Sequence, residues 1–187
     1  MSSVVILKWN PAISSYNFIS FLGHIVENEN EMNWSIWEYE KVHKGDEFFM
    51  LKVGCGINGI VMAGKLTSEP YVSGDWSGRG RKVYYCDFKA ELMVNPATLP
   101  IIESSFLEDN VLGFEWYGGH SGAVLDEQQA QALRIIYDRY LRENASLFLD
   151  RQELIAKREL LNDQFFFSRK LVKALEGFKA SQEGNQS

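Results

Sequence analysis

A segment of strictly alternating polarity constrains this chain more than any other feature. Apolar side chains occupy every second position of the segment, at Tyr84, Cys86, Phe88, Ala90 and Leu92. Charged side chains lie between the later members of this series. The period of two predicts a strand with one buried and one solvated face.

Further strand patterns surround this segment. Residues 47–53 and 60–67 are both β-like, and the glycine-rich run 54–59 connects them, which predicts a hairpin with a longer loop. That run has a superficial likeness to a dinucleotide-binding motif, but it joins two strands and opens no helix, so the usual phosphate-binding geometry is missing. Val4–Trp9 is a short apolar run that Asn10-Pro11 closes, and it is also predicted to be a strand.

Helical patterns occur on both sides of the strands. Apolar residues between Phe18 and Ile25 have helical spacing, and residues 34–42 are predicted to form a second, short helix. Asp126, with Gln129 three residues later, predicts a capping box at the start of a helix. From Leu147 to Gly177, apolar residues recur at steps of three and four without proline, which predicts one long helix or two shorter ones.

The order of these patterns indicates the fold class. Strands and helices do not alternate regularly, which argues against a doubly wound parallel sheet. We predict an α+β fold in which a small, strongly bent sheet or barrel is flanked by helices. The expected division is a domain at 4–142, a C-terminal helical extension at 147–178 and a disordered tail at 179–187.

Composition excludes several classes of protein. The chain has 187 residues and a net charge of −6, which argues against sequence-blind binding of nucleic acid by phosphate neutralisation, but not against a small pocket that grips one base. Two cysteines make neither a disulfide scaffold nor, alone, a zinc site. No apolar run is long enough to cross a membrane, and Met1–Trp9 lacks the layout of a secretory signal. We therefore expect a cytoplasmic protein with no metal, no cofactor and no membrane partner.

Catalytic motifs are weak in this sequence. There is no Gly-x-Ser-x-Gly motif, and the three histidines lie in unrelated contexts. His120 and Ser121 are adjacent, but adjacency in sequence does not aim a base at a nucleophile. We therefore expect no catalytic residues.

Three segments are candidates for binding. In Trp34-Ser35-Ile36-Trp37-Glu38-Tyr39, Trp34 is either a lid over a cleft or a half-buried structural side chain. In residues 114–122, Trp116 either joins a binding site or plugs the end of the sheet. The basic loop that holds Arg79, Arg81 and Lys82 either meets phosphates or is a solvated hairpin tip.

Together, these segments resemble the EVE domain, a branch of the PUA-like superfamily that is related to YTH domains. The likeness covers residues 4–142 and lies in three stretches. They are Leu7-Lys8-Trp9-Asn10-Pro11, residues 34–71 with their Lys-Gly-Asp turn and Ser-Glu-Pro end, and Trp116 with Ser121-Gly122. The resemblance implies a PUA-like bent barrel with a pocket between barrel and helices.

The resemblance also implies a reader of modified or flipped bases in DNA or RNA. By position, Trp34 and Ser35 fall in the base-binding segment, and Trp37, Trp9, Trp116 and Ser121 are further candidates. Two alternatives stay open. One is a scaffold or protein–protein interaction module that forms a homodimer through its C-terminal helix. The other is an enzyme that acts on a nucleotide with Ser35, Glu38 and His120.

Overall fold

Strand β1 (Val4–Trp9) is buried along its whole length. It pairs in parallel with β3 (Glu47–Lys52) and antiparallel with β8 (Ala123–Val124). Side chains of β1 alternate between two apolar clusters, with Val5 and Leu7 in one and Val4 and Ile6 in the other. This architecture is that of a computed structural model, in which residues 1–27, 31–96 and 99–145 are described.

The sheet is mixed and curved. Its other strands are β2 (Met32–Ser35), β4 (Gly59–Leu66), β5 (Tyr71–Ser73), β6 (Val83–Met93) and β7 (Ile102–Glu103). The strand order is β2-β6-β4-β3-β1-β8, while β5 pairs with β6 and β7 pairs with β4. The helices are α1 (Phe18–Glu27), α2 (Ser104–Asn110) and α3 (Glu127–Glu143), together with a 3₁₀ turn at Tyr39–Lys41.

Two backbone hydrogen bonds connect the two ends of this sheet. The Trp37 amide donates to the Ser121 carbonyl at 2.9 Å, and the Glu38 amide donates to the Gly122 carbonyl at 3.0 Å. The segment that follows β2 is thereby held beside the segment that precedes β8, so the sheet curls into a partly closed barrel. We call this junction, residues 36–38 with 121–122, the seam.

Helices cover both faces of the sheet. Phe21, Leu22 and Ile25 of α1 belong to one apolar cluster, whereas Leu107 of α2 and Leu133 of α3 belong to the other. The predicted α+β class with a bent sheet is confirmed. Among the described strands, β1 and β3 form a parallel pair and the other pairings are antiparallel, as expected for a sheet that is not doubly wound.

Several local predictions are also confirmed. β3 and β4 form the expected hairpin around the glycine-rich loop, and β6 contains the whole alternating segment. The capping box of α3 is present, because the Gln129 amide donates to the Asp126 carboxylate at 2.8 Å and the Asp126 amide donates to the Gln129 side chain at 3.0 Å.

The predicted helix over residues 34–42 is wrong in its first half. β2 runs to Ser35, and only Tyr39–Lys41 forms a short 3₁₀ turn. Met32, Trp34 and Ile36 all join the same apolar cluster. Every second side chain therefore faces the core, as in a strand and not as in a helix. The predicted helical extension at 147–178 and the tail at 179–187 lie outside the described residues, and the domain boundaries stay a prediction.

Candidate functional site

Lys8, near the end of β1, connects three parts of the candidate site through its polar groups. Its amide donates a hydrogen bond to the Ser121 hydroxyl at 2.9 Å. Its carbonyl accepts a hydrogen bond of 3.2 Å from the Trp34 indole. Its ammonium donates to the carbonyls of Glu115, at 2.7 Å, and Gly118. The structure thus brings together the three stretches that carry the sequence resemblance.

Lys8 is itself 9% exposed. Burial lowers the pKa of its ammonium from the ordinary value, and the Glu115 carboxylate partly offsets that effect. The ammonium also lies 5.0 Å from the centre of the Phe114 ring. These contacts fix the glycine-rich loop 114–122 on the end of β1.

Trp34 is half-buried and belongs to the rim of a core cluster. Its ring meets Tyr16 edge-on with centroids 5.7 Å apart and Phe88 edge-on with centroids 6.4 Å apart. Its indole nitrogen is bonded to the Lys8 carbonyl. Of the two interpretations of Trp34, these contacts favour the half-buried structural side chain.

Trp37 is the most exposed of the predicted ring residues, with 61% of its surface accessible. One face of its indole lies on the imidazole of His120, with centroids 3.8 Å apart and planes only 5° from parallel. Because this stack covers one face, the large remaining exposure leaves the opposite face open. The backbone of Trp37 is fixed by its hydrogen bond across the seam.

The two predicted serines are neighbours of Trp37, Ser35 along the chain and Ser121 across the seam. Ser35 pairs with Tyr85 at the end of β2 and is partly exposed. Ser121 is a seam residue whose hydroxyl accepts from the Lys8 amide and whose carbonyl accepts from the Trp37 amide. Ser121 therefore positions the candidate ring.

Trp9 and Trp116 lie in the core, with exposures of 0% and 1%. The Trp9 ring stacks on Phe21 at 4.9 Å and donates to the Tyr16 carbonyl at 2.6 Å. The Trp116 indole donates to the Val111 carbonyl at 3.0 Å. Neither ring offers a face to a ligand in this conformation, because apolar neighbours and these hydrogen bonds enclose both.

The basic loop is the ordered tip of the β5–β6 hairpin. The Asp75 carboxylate accepts hydrogen bonds from the hydroxyl and amide of Ser77, at 2.6 and 2.9 Å, and from the Arg81 guanidinium at 3.3 Å. These donors, led by the Ser77 hydroxyl, hold the pKa of Asp75 below its ordinary value. Arg81 is thus partnered within the loop, whereas Arg79 and Lys82 are exposed.

The hairpin tip lies at the same end of the barrel as Trp37. β2 runs antiparallel to β6, and the Ile36 amide continues the pairing by donating to the Tyr84 carbonyl at 2.8 Å. The chain then advances toward the start of β6, directly after the basic loop. The Tyr39 and Tyr84 rings stack there with centroids 3.5 Å apart and planes 8° from parallel.

The enzymatic alternative rests on Ser35, Glu38 and His120. Glu38 accepts a hydrogen bond from the Val124 amide at 2.6 Å and pairs with Lys41, so its carboxylate is occupied by the fold. In the part of the chain that the structure describes, no hydrogen bond joins Ser35, Glu38 and His120. Over the same residues, no group of three or more His, Cys, Asp or Glu side chains is placed to hold a metal ion.

Sequence reasoning missed two residues of this site. Lys8 is a single cation inside the apolar run Val4–Trp9, and that isolated charge was the available signal for a buried, positioned ammonium. The sequence suggests His120 only as a base, whereas in the structure its imidazole stacks on Trp37. The two preceding residues, Gly118 and Gly119, give no sign of that stack.

Comparisons with known proteins give no family for this chain. No protein-family profile and no curated protein matches its sequence. None of the helices in residues 1–27, 31–96 and 99–145 has the length and apolarity that crossing a bilayer requires.

Solved structures do match, at low identity. The protein PSPTO5229 of Pseudomonas syringae is 13% identical, with 71% of this chain and 98% of that chain covered and a TM-score of 0.49. A hypothetical protein of Leishmania major is 9% identical, with 75% and 98% covered and a TM-score of 0.47. Human THYN1, solved with DNA that contains 5-methylcytosine, is 17% identical, with 58% and 74% covered and a TM-score of 0.42. Because these TM-scores are below 0.5, the matches do not identify a family.

Proposed function

We propose that this protein is a non-enzymatic nucleic-acid-binding module that takes one modified or flipped base onto the open face of Trp37. The observation that carries the proposal is the exposed Trp37 ring, backed at 3.8 Å by His120. A flat indole is a stacking surface for any heterocycle.

The stack on His120 makes Trp37 suitable for this task. An exposed tryptophan that is free to rotate loses conformational entropy when it binds a ligand. Here the backing imidazole and the seam hydrogen bond to Ser121 hold the ring in place before a base arrives. Stacking of one base is worth about 1–3 kcal/mol, so a pre-positioned ring contributes most of that energy to binding.

The surroundings of Trp37 supply the other contacts that a base-binding site needs. Ser35, at the end of β2, offers a partly exposed hydroxyl for the edge of a base. Arg79 and Lys82 stand at the same end of the barrel, where phosphates on either side of the bound base would pass. A few local cations suffice for this purpose despite the net charge of −6.

We further propose that the fold is PUA-like and of the EVE type. Two features support this assignment. One is the sequence resemblance over residues 4–142, and the other is the partly closed barrel, in which Lys8 and the seam join the three stretches that carry the resemblance.

Binding of labelled single-stranded oligonucleotides, followed by fluorescence anisotropy, tests the proposal. The probes are DNA and RNA of one sequence, either unmodified or with a single 5-methylcytosine or N6-methyladenine. We expect Trp37→Ala to weaken binding roughly tenfold to a hundredfold, as the loss of one stacked base predicts.

Tyr117→Ala is the matched control, because Tyr117 is an exposed aromatic, 44% accessible, whose hydroxyl interacts with Glu108. It should bind like the unmodified protein. Equal affinities for all three proteins, or no binding of any probe by any of them, would contradict the proposal.

A further inference from the structure

A groove between α2 and α3 lies outside the proposed base-binding site. It has a volume of about 290 Å³, and Ile101, Ile102, Phe106, Ile136 and Tyr140 form most of its apolar lining. Phe106 is 45% exposed, which is a large exposure for a phenylalanine that points into a concave surface.

The groove ends where α3 ends. Ile136, Tyr140 and Glu143 are spaced by four and three residues, so they share one face of α3, and Glu143 is the last residue of the helix. Asn144 follows with non-helical angles (φ −112°, ψ 16°), and its amide bonds back to the carbonyls of Arg142 and Tyr140. The helical run of α3 is therefore interrupted at Asn144, at one end of the groove.

The sequence beyond this point has the right chemistry to fill the groove. Residues 147–178 include Leu147, Leu154 and Leu161, which recur at helical multiples. Residues 147–161 carry three Lys or Arg against three Asp or Glu, a net charge of zero, so their leucines rather than their charge match the apolar lining of the groove.

We propose that residues 147–161 of the same chain turn back after Asn144 and pack their leucines into the α2–α3 groove. An occupant from the same chain is favoured over a second copy because it begins beside the groove, and such a short connection gives a high effective concentration. This inference does not depend on the proposed base-binding function.

Limited trypsin digestion of the full chain tests the proposal. Arg151, Lys157 and Arg158 lie within the docking segment, so their cleavage reports its release. Phe106→Asp should raise the cleavage rate at these sites roughly five- to tenfold, as the loss of one buried apolar contact predicts. Leu112→Asp is the matched control, because Leu112 is 73% exposed and lies outside the groove, and it should leave the rate unchanged. Equal rates in both variants would overturn the proposal.

A second measurement covers the case in which Phe106→Asp does not fold. In a Cys55→Ser background, Phe106→Cys with Leu154→Cys should form a disulfide within one chain under mild oxidation, while Leu112→Cys with Leu154→Cys should not. A disulfide that links two chains, or protection from trypsin that disappears on dilution together with a fall in mass by light scattering, would assign the groove to a second copy and overturn the intramolecular docking.

Discussion

Gly122 packs its α-carbon directly against the backbone of Ile36 across the seam. A β-carbon at position 122 would lie 2.4 Å from the Ile36 α-carbon and 2.8 Å from the Trp37 nitrogen. Gly122 also has a φ of +79°, in the left-handed region. Only glycine satisfies both requirements, so this residue determines how closely the ends of the sheet approach.

Gly122→Ala should therefore destabilise the protein by roughly 2–5 kcal/mol, the sum of left-handed strain and overlap with the Ile36 backbone. The free energy of unfolding is measured by urea titration. Gly78→Ala is the control, because Gly78 has a similar φ of +70° but no neighbour within 4 Å of an added β-carbon. We expect it to cost about 1 kcal/mol, and an equal cost for both variants would show that the close approach to Ile36 is unimportant.

Trp34 and Trp37 should contribute differently to the free energy of unfolding. Trp34→Ala should lower the free energy of unfolding by about 2 kcal/mol, because Trp34 packs against Tyr16 and Phe88 and donates to the Lys8 carbonyl. Trp37→Ala should cost about 1 kcal/mol or less, since its main ring contact is His120 on the surface. Urea titrations of both variants measure these values. If the order of the two costs is reversed, the division between a structural ring and a ligand-facing ring is wrong.

The two cysteines should react very differently in the folded protein. Cys55 is exposed, whereas Cys86 is buried within β6. Burial, followed by the charges of Glu69, Asp87 and Asp46, raises the pKa of the Cys86 thiol to about 12. We expect iodoacetamide at pH 8 to label Cys55 alone, with Cys86 labelled only after urea is added. Mass spectrometry of the intact chain counts the labels, and two labels without urea would show that β6 opens readily.

Tyr71 should make the protein less stable at alkaline pH. Burial, followed by a 2.6 Å hydrogen bond to the Asp87 carboxylate, raises the pKa of Tyr71 to about 12. An unfolded tyrosine ionises near pH 10, so between about pH 10 and 12 the unfolded chain binds fewer protons than the folded chain. The stabilisation is complete below pH 10 and is lost as pH rises toward 12. Tyr71→Phe should therefore show a shallower fall in unfolding free energy between pH 9 and 11, and an unchanged slope would exclude this contribution.

Periodicity and capping were sufficient to predict most of the fold from the sequence. The alternation in β6, the hairpin around residues 54–59 and the capping box at Asp126 are local signals, and the structure has all three. The segment at 34–42 was misassigned because Trp34 and Tyr39 also fit a helical face. Residues 32–35 form a strand because they pair with β6 and lead into the seam. Both contacts are with distant parts of the chain, so a short stretch of sequence does not reveal them.

The candidate site was harder to predict for a related reason. The sequence identifies the aromatic residues, but it does not indicate which of them are buried in the core. Trp9 and Trp116 are enclosed, while Trp37 is left on the surface with a histidine from 83 residues further along the chain. Exposure depends on how distant segments meet, and the meeting of loop 114–122 with the end of β2 is fixed by Lys8, a residue of neither segment.

The position of Lys8 also bears on how the ligand preference of this protein could be changed. The residue belongs to a strand that is buried along its whole length, yet its amide, carbonyl and ammonium hold Ser121, Trp34 and the loop 114–122 in place. The His120 side chain takes part in none of these three hydrogen bonds, so it can be changed without disturbing them. Redesign for a new heterocycle should therefore begin at position 120, which backs the Trp37 ring, and leave β1 untouched.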